Sequence, residues 1–109
     1  MKFKVAVIQF EIKQFDPTYN LEKAEKFIKK ASSSNVDIIV FPEDFITGPV
    51  CGKREYVDFS EKYKKHFQNL ARKYKINIVP GSIIEGDRTG LYNTTYFIDS
   101  TGRVRGKYR

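Results

Sequence analysis

Glu43 is the side chain of this sequence best placed to do chemistry. It follows Asp37-Ile38-Ile39-Val40-Phe41-Pro42, four consecutive apolar residues closed by a proline. Such a run reads as a strand buried on both faces. Pro42 has no amide hydrogen and suits the end of a strand. In open α/β sheets, ligands bind beyond the carboxyl ends of strands. A carboxylate in that crevice is poorly solvated, which raises its pKa toward the range a general base needs near neutral pH. The plainer reading is an acidic loop residue paired with one of the many lysines. Asp44 is expected to point another way, so the two do not form a simple charge cluster.

Other reactive types are sparse. Cys51 is the only cysteine and sits in the loop Gly48-Pro49-Val50-Cys51-Gly52. A nucleophilic thiol needs a nearby base or cation, and no histidine stands near it, so a small loop side chain is the simpler reading. His66 is the only histidine. Metal sites need several ligands at defined spacing, and none converges on it; it reads as a helix residue at the edge of an apolar stripe. Gly81-Ser82 and Gly86-Asp87-Arg88-Thr89-Gly90 lack the spacing of phosphate loops. They read as a strand kink and a turn, and no cofactor motif is present.

The elements that must position Glu43 follow from periodicity. Residues 3–10 alternate as a first strand, with Val5 and Val7 on one face and Ala6 and Ile8 on the other. Both faces are apolar and both are expected to be covered. Asp16-Pro17-Thr18-Tyr19 is a turn, and Asn20 suits an N-cap. Leu21, Ala24, Ile28 and Ala31, with Phe27, then mark an amphipathic helix that ends in Ser32-Ser33-Ser34-Asn35. After the strand 36–42, residues 44–57 are irregular. Phe59, Tyr63, Phe67, Leu70 and Tyr74 mark a second helix over 58–75. Residues 76–84 form a third strand interrupted at Pro80-Gly81. The order strand–helix–strand–helix–strand predicts neighbouring parallel strands. Glu85–Gly90 then reads as a polar turn, residues 91–99 as a strand, Asp99-Ser100-Thr101-Gly102 as a hairpin turn, and Arg103 onward as a last strand. The fold class is therefore α/β, a mixed sheet with two helices and an antiparallel edge.

Bulk composition narrows the function classes. At 109 residues, with 40% hydrophobic residues, the chain is globular and is one domain or part of one. No apolar stretch is long enough to cross a membrane, and the N-terminus reads as a strand instead of a secretory signal. A single cysteine excludes an internal disulfide framework and fits a cytoplasmic location. The net charge of +7 admits two readings, a lysine-rich solvated surface or an anionic partner such as nucleic acid. The last strand sharpens that choice. Arg103, Arg105, Lys107 and Arg109 alternate onto one face, and Val104, Gly106 and Tyr108 onto the other. The basic face is either an anion-binding ridge or an edge protected from aggregation by charge.

Several stretches, in order, resemble the N-terminal part of the nitrilase superfamily, the carbon–nitrogen hydrolases. They are Val5-Ala6-Val7-Ile8-Gln9, Asn20-Leu21, Asp37 to Gly48 centred on Phe41-Pro42-Glu43, Ile78-Val79-Pro80-Gly81-Ser82, Tyr92-Asn93-Thr94 and Gly106-Lys107-Tyr108-Arg109. The resemblance implies a four-layer α/β/β/α sandwich and a Glu–Lys–Cys set without a cofactor, acting on a small-molecule amide or nitrile. Glu43 matches the general base. The lysine would fall one position beyond Arg109 and the cysteine further downstream; Cys51 matches neither. Lys107 projects to the wrong face to replace the lysine. These 109 residues are then expected to be the incomplete N-terminal part of a single domain, inactive alone, in a protein that forms homo-oligomers and takes neither membrane nor nucleic acid as partner. Two other readings stand beside it: a small basic binding module for nucleic acid or an acidic protein, and a non-catalytic nitrilase-like subunit.

Overall fold

The fold is described from a computed structural model covering residues 2–109. A six-stranded mixed sheet runs in the order β1-β2-β3-β5-β4, with β6 on the other side of β5. Its strands are β1 (Val5–Val7), β2 (Ile38–Val40), β3 (Asn77–Val79), β4 (Ser82–Asp87), β5 (Gly90–Ile98) and β6 (Val104–Tyr108). β1, β2 and β3 are parallel; β4 and β6 run antiparallel to β5. Helices α1 (Pro17–Ser33) and α2 (Lys62–Tyr74) make the two crossovers. The expected mixed α/β architecture is present.

Register explains the core. Ala6 pairs with Ile39, Ile39 with Ile78, Ile78 with Ile98, and Ile98 with Val104. This row of apolar side chains crosses five strands on one face. Ala24, Ile28 and Ala31 of α1 and Phe67, Leu70 and Ala71 of α2 pack against it. Both helices cover that same face, so the opposite face is open. Val5 is 52% exposed, Val7 72% and Tyr108 75%. The expectation that β1 is covered on both faces fails among these residues, for that reason.

Local boundaries moved where side chains took over backbone work. Asn20 is not the cap of α1; Asp16 is, accepting from the Tyr19 amide at 3.1 Å. Asn20 lies fully buried one turn in. Its Oδ1 accepts from the Lys13 amide at 2.9 Å, and its Nδ2 donates to the carbonyls of Lys13 and Ile46, each at 2.8 Å. It thus ties the entry of α1 to the loop after β2. The second helix begins at Lys62 and not at 58, because the buried Asp58 carboxylate accepts from the amides of Ser60, Lys62 and Tyr63, and Glu61 turns left-handed at φ 59°. Phe59 therefore falls outside the helix and is exposed. The interrupted third strand is two strands, β3 and β4, and β4 runs on to Asp87, so only Arg88-Thr89 turns. Glu85 is accordingly no turn residue. It is buried on β4, and both its oxygens accept from the Tyr96 hydroxyl, at 2.8 and 2.9 Å. Burial first, and then this carboxylate, push the Tyr96 phenol well above its usual range.

The last strand departs from simple alternation. A register shift between Phe97 and Ile98 sets Val104 opposite Ile98, toward the core, while Gly106 and Tyr108 stay opposite Phe97 and Thr95 on the open face. Val104 thus parts from the face it was expected to share. The basic ridge is also broken up. Arg105 pairs with Asp99 at 2.8 Å and Arg109 with Asp87 at 3.0 Å, while the Arg109 guanidinium lies over the Tyr92 ring.

Two predictions follow from these contacts. Asn20→Ala strands three backbone polar groups and should cost about 2–4 kcal/mol, read as a lower urea midpoint with an unchanged slope. The hairpin carboxylates predict acid sensitivity. The Thr89 hydroxyl and amide hold Asp87 down to about 2, and the Thr101 hydroxyl chiefly holds Asp99 well below its usual value. Stabilisation from such depressed groups is complete above the ordinary aspartate value of 3.8 and is lost as pH falls through the folded values. The urea midpoint should drop over that window, and Asp99→Asn should make the drop shallower.

Candidate functional site

The exit of β2 is pinned before it reaches Glu43. The Phe41 amide donates to the Val79 carbonyl at 2.9 Å. The Phe41 ring is buried and stacks on Phe45 at 5.0 Å, and both meet Phe67 of α2. Burying a ring of this size contributes about 1.5–3 kcal/mol, so the strand end cannot drift without losing core. One residue on, the Pro42 carbonyl lies against Gly81. A β-carbon at Gly81 would come within 1.9 Å of the Pro42 oxygen, and Gly81 adopts φ +62°. Only glycine fits this approach.

The chain then reverses at Asp44, which takes φ 52°. Its amide donates to the Ser82 carbonyl at 3.2 Å and to Ser82 Oγ at 3.1 Å, and Ser82 Oγ donates to Asp44 Oδ1 at 3.1 Å. Burial pushes the Asp44 carboxyl up, the Ser82 bond works against this, and the neighbouring Glu43 charge adds to it. Asp44 is thereby turned away from Glu43, as expected.

Glu43 faces the open side of the sheet. It lines a shallow groove of about 320 Å³ with Val79, Ser82, Asn93, Thr95 and Tyr108. Glu43 Oε1 accepts from Asn93 Nδ2 at 2.9 Å. Thr95 Oγ1 donates to the Gly81 carbonyl at 2.7 Å, which ties β5 to the kink beside Pro42. The expected crevice is therefore present at the strand end, but it is open. Glu43 is solvent-exposed, and these residues do not supply the desolvation that its position implied.

The other candidates lie elsewhere. Cys51 is exposed in a left-handed turn at φ 53°, with its sulfur 3.7 Å from Gln14 Nε2, and is not part of the groove. His66 is on α2, on the covered side of the sheet, edge-on to Phe67 at 5.3 Å, and burial pushes its pKa down. The hydroxyls of Ser82 and Thr95 are committed to Asp44 and Gly81. The groove thus offers a carboxylate with one oxygen held and the other free to take a proton. Asn93 was the residue that sequence reasoning assigned no role. The available signal is an amide in the middle of a strand, where asparagine is depleted.

Comparison with known proteins settles the family. The carbon-nitrogen hydrolase family model matches residues 4–109. This chain belongs to the carbon–nitrogen hydrolases. It is 32% identical to the 2-oxoglutaramate amidase of Bacillus subtilis over all of its own length and 42% of that protein's. It is 35% identical to a nitrilase of Pyrococcus abyssi over 97% of this chain and 42% of the relative. The structure superposes on an amidase from Nesterenkonia sp. AN1 with a TM-score of 0.85 at 22% identity, covering 99% of this chain and 44% of that one. Another structure of that amidase, a glutamate-to-glutamine mutant, shows the acetamide moiety of fluoroacetamide covalently added at the active-site cysteine. The chain spans about two-fifths of the length of these relatives.

The carbon–nitrogen hydrolase groove depends on Gly81 in a way that can be measured. Gly81→Ala combines an unfavourable left-handed φ with a clash against backbone and should destabilise by about 2–4 kcal/mol, whereas Gly52→Ala, in open space at φ +79°, should cost about 1 kcal/mol. Denaturant midpoints of the two variants give the comparison.

Proposed function

We propose that these residues form the N-terminal part of one carbon–nitrogen hydrolase domain that cleaves a non-peptide amide or nitrile, with Glu43 as the general base. The observation that carries this is the placement of Glu43, alone among the carboxylates near β2, at the strand exit and facing a groove. Family membership supports the reaction class, and the amidases and nitrilases among the relatives support the substrate class.

The chemistry follows from what one positioned carboxylate can do. Glu43 takes the proton from a cysteine thiol as the sulfur attacks the amide or nitrile carbon. A lysine ammonium stabilises the charge that develops on the substrate oxygen or nitrogen. In the amide case the protonated Glu43 returns its proton to the departing ammonia or amine, leaving a thioester that water hydrolyses. The cysteine and lysine lie outside these residues. β6 supports a place for the lysine: Tyr108 is on the groove face, so the second position after it in a continued strand, one beyond Arg109, returns to the same face. Assembly into homo-oligomers and a cytoplasmic location belong to the same proposal. No helix among the described residues is long and apolar enough to cross a membrane.

A basic binding module is not favoured. Two of the four cations on its ridge, Arg105 and Arg109, are engaged by Asp99 and Asp87. A non-catalytic subunit differs from the hydrolase in one readable feature, the absence of a lysine directly after Arg109 in the full-length protein.

In the full-length protein, Glu43→Gln should lower turnover of short amides or nitriles by about 10²–10⁴-fold, with circular dichroism and denaturant midpoint unchanged. Near-native kcat in that variant overturns Glu43 as the base.

A further inference from the structure

We infer that Asn93 is a positioning residue for Glu43: its side-chain amide holds one carboxylate oxygen so that the other is presented to the groove. The inference rests on Glu43 being the base.

The geometry gives three reasons. First, Asn93 Nδ2 donates to Glu43 Oε1 at 2.9 Å, and among the described residues it is the one side chain that bonds to this carboxylate. A carboxylate only accepts, so the amide must turn its NH₂ toward it. Second, Glu43 needs such a tether. It is exposed, follows a proline, and precedes a left-handed residue, so helix and sheet ladders do nothing to fix its rotamer. A glutamate side chain ordered from that state loses conformational entropy, and a base held in advance avoids that loss in the reaction. Third, Asn93 stands on a rigid base of its own. It pairs with Ile84 in the β4–β5 ladder. Two residues along the same face, Thr95 Oγ1 grips the Gly81 carbonyl, beside the Pro42 carbonyl that precedes Glu43. The amide and the carboxylate are thus anchored to the same kink from two strands.

The chemical type of the donor matters. A lysine or arginine here would orient the carboxylate equally well, but its charge would weaken the carboxylate as a base. A neutral amide orients with a smaller penalty, since it carries no full charge. It also keeps its bond when the proton arrives, because the protonated carboxyl retains an oxygen that accepts.

The fold does not explain Asn93 otherwise. Its side chain makes no other hydrogen bond among the described residues and is exposed, in a strand where asparagine is disfavoured.

The test is steady-state hydrolysis of propionamide and propionitrile by the full-length protein. Asn93→Ala and the similarly sized Asn93→Leu, which cannot donate, should each lower kcat about tenfold and leave KM within about twofold. In a Glu43→Asp background the shorter carboxylate no longer reaches Asn93, so adding Asn93→Ala should cost less than about twofold. Native kcat in both single variants, or the same tenfold loss in the Glu43→Asp background, overturns the positioning role. Should Asn93→Ala fail to fold, Asn93→Leu carries the comparison alone. Near-native turnover by Glu43→Gln, or none by the unaltered protein on either probe, is a different result: it removes the reading of Glu43, and this inference with it.

Discussion

Gly81 brings the backbone of the β3–β4 kink against the carbonyl of Pro42, nearer than any side chain permits, and the geometry of the groove follows from that approach. Because the two segments touch, Ser82 is in reach of Asp44 and turns it aside. Because Asp44 is turned aside, Glu43 is left facing the open side of the sheet. Thr95 closes the arrangement from β5 by bonding the Gly81 carbonyl, and Asn93 on the same face meets the carboxylate. A reactive side chain on irregular backbone is ordinarily mobile. Here three strands hold it, through the backbone approach at Gly81 and through the side chains of Ser82, Thr95 and Asn93.

The hydrophobic core sets the same geometry from the other side. Phe41 and Phe45 flank Glu43 in sequence and are both buried against Phe67 of α2. The residue that faces solvent is therefore bracketed by two that cannot. This is how a small domain places a charged group at a fixed point without burying it: the anchor is apolar and adjacent, and the charge keeps its water. For the general base proposed here, the cost of desolvating Glu43 is then left to whatever covers the groove.

Much of this was legible in the sequence, and what was not has a common cause. The buried run ending at Pro42-Glu43, the two helical stripes, the Pro80-Gly81 interruption and the Asp99–Gly102 turn, whose glycine takes φ +86°, all follow from local periodicity and turn chemistry. The errors concern polar side chains whose partners are distant in sequence. Asn20 has the residue type of a helix cap but bonds across to Ile46. Asp58 looks like the start of a helix and instead caps one that begins four residues later. Glu85 looks like part of a polar turn, yet it lies inside, because Tyr96 on the next strand supplies a hydroxyl to both its oxygens. Asn93 belongs to the same group. A residue's own type states that it needs a partner; only the fold states which one. The groove's carboxylate could be found from the chain because apolar patterning located it, whereas its companion amide could not.

The open face of the sheet bears on how the remaining chemistry must arrive. Val5, Val7 and Tyr108 are more than half exposed on the side that carries Glu43, so the surface that lacks cover and the surface that lacks reactive partners are one surface. An exposed apolar face of this kind marks a surface on which something packs. Whatever packs there would shield the β-strands, exclude water from around Glu43, and bring new side chains to within reach of its free oxygen, all in one step. Under the proposal that Glu43 is the base, coverage and catalysis are coupled: the carboxylate becomes poorly solvated only when its partners are in place. A carboxylate that stays hydrated until the site is assembled does not have to be buried unpaired during folding, which would be costly, and this gives a physical reason for an exposed Glu43 beside a well-fixed backbone.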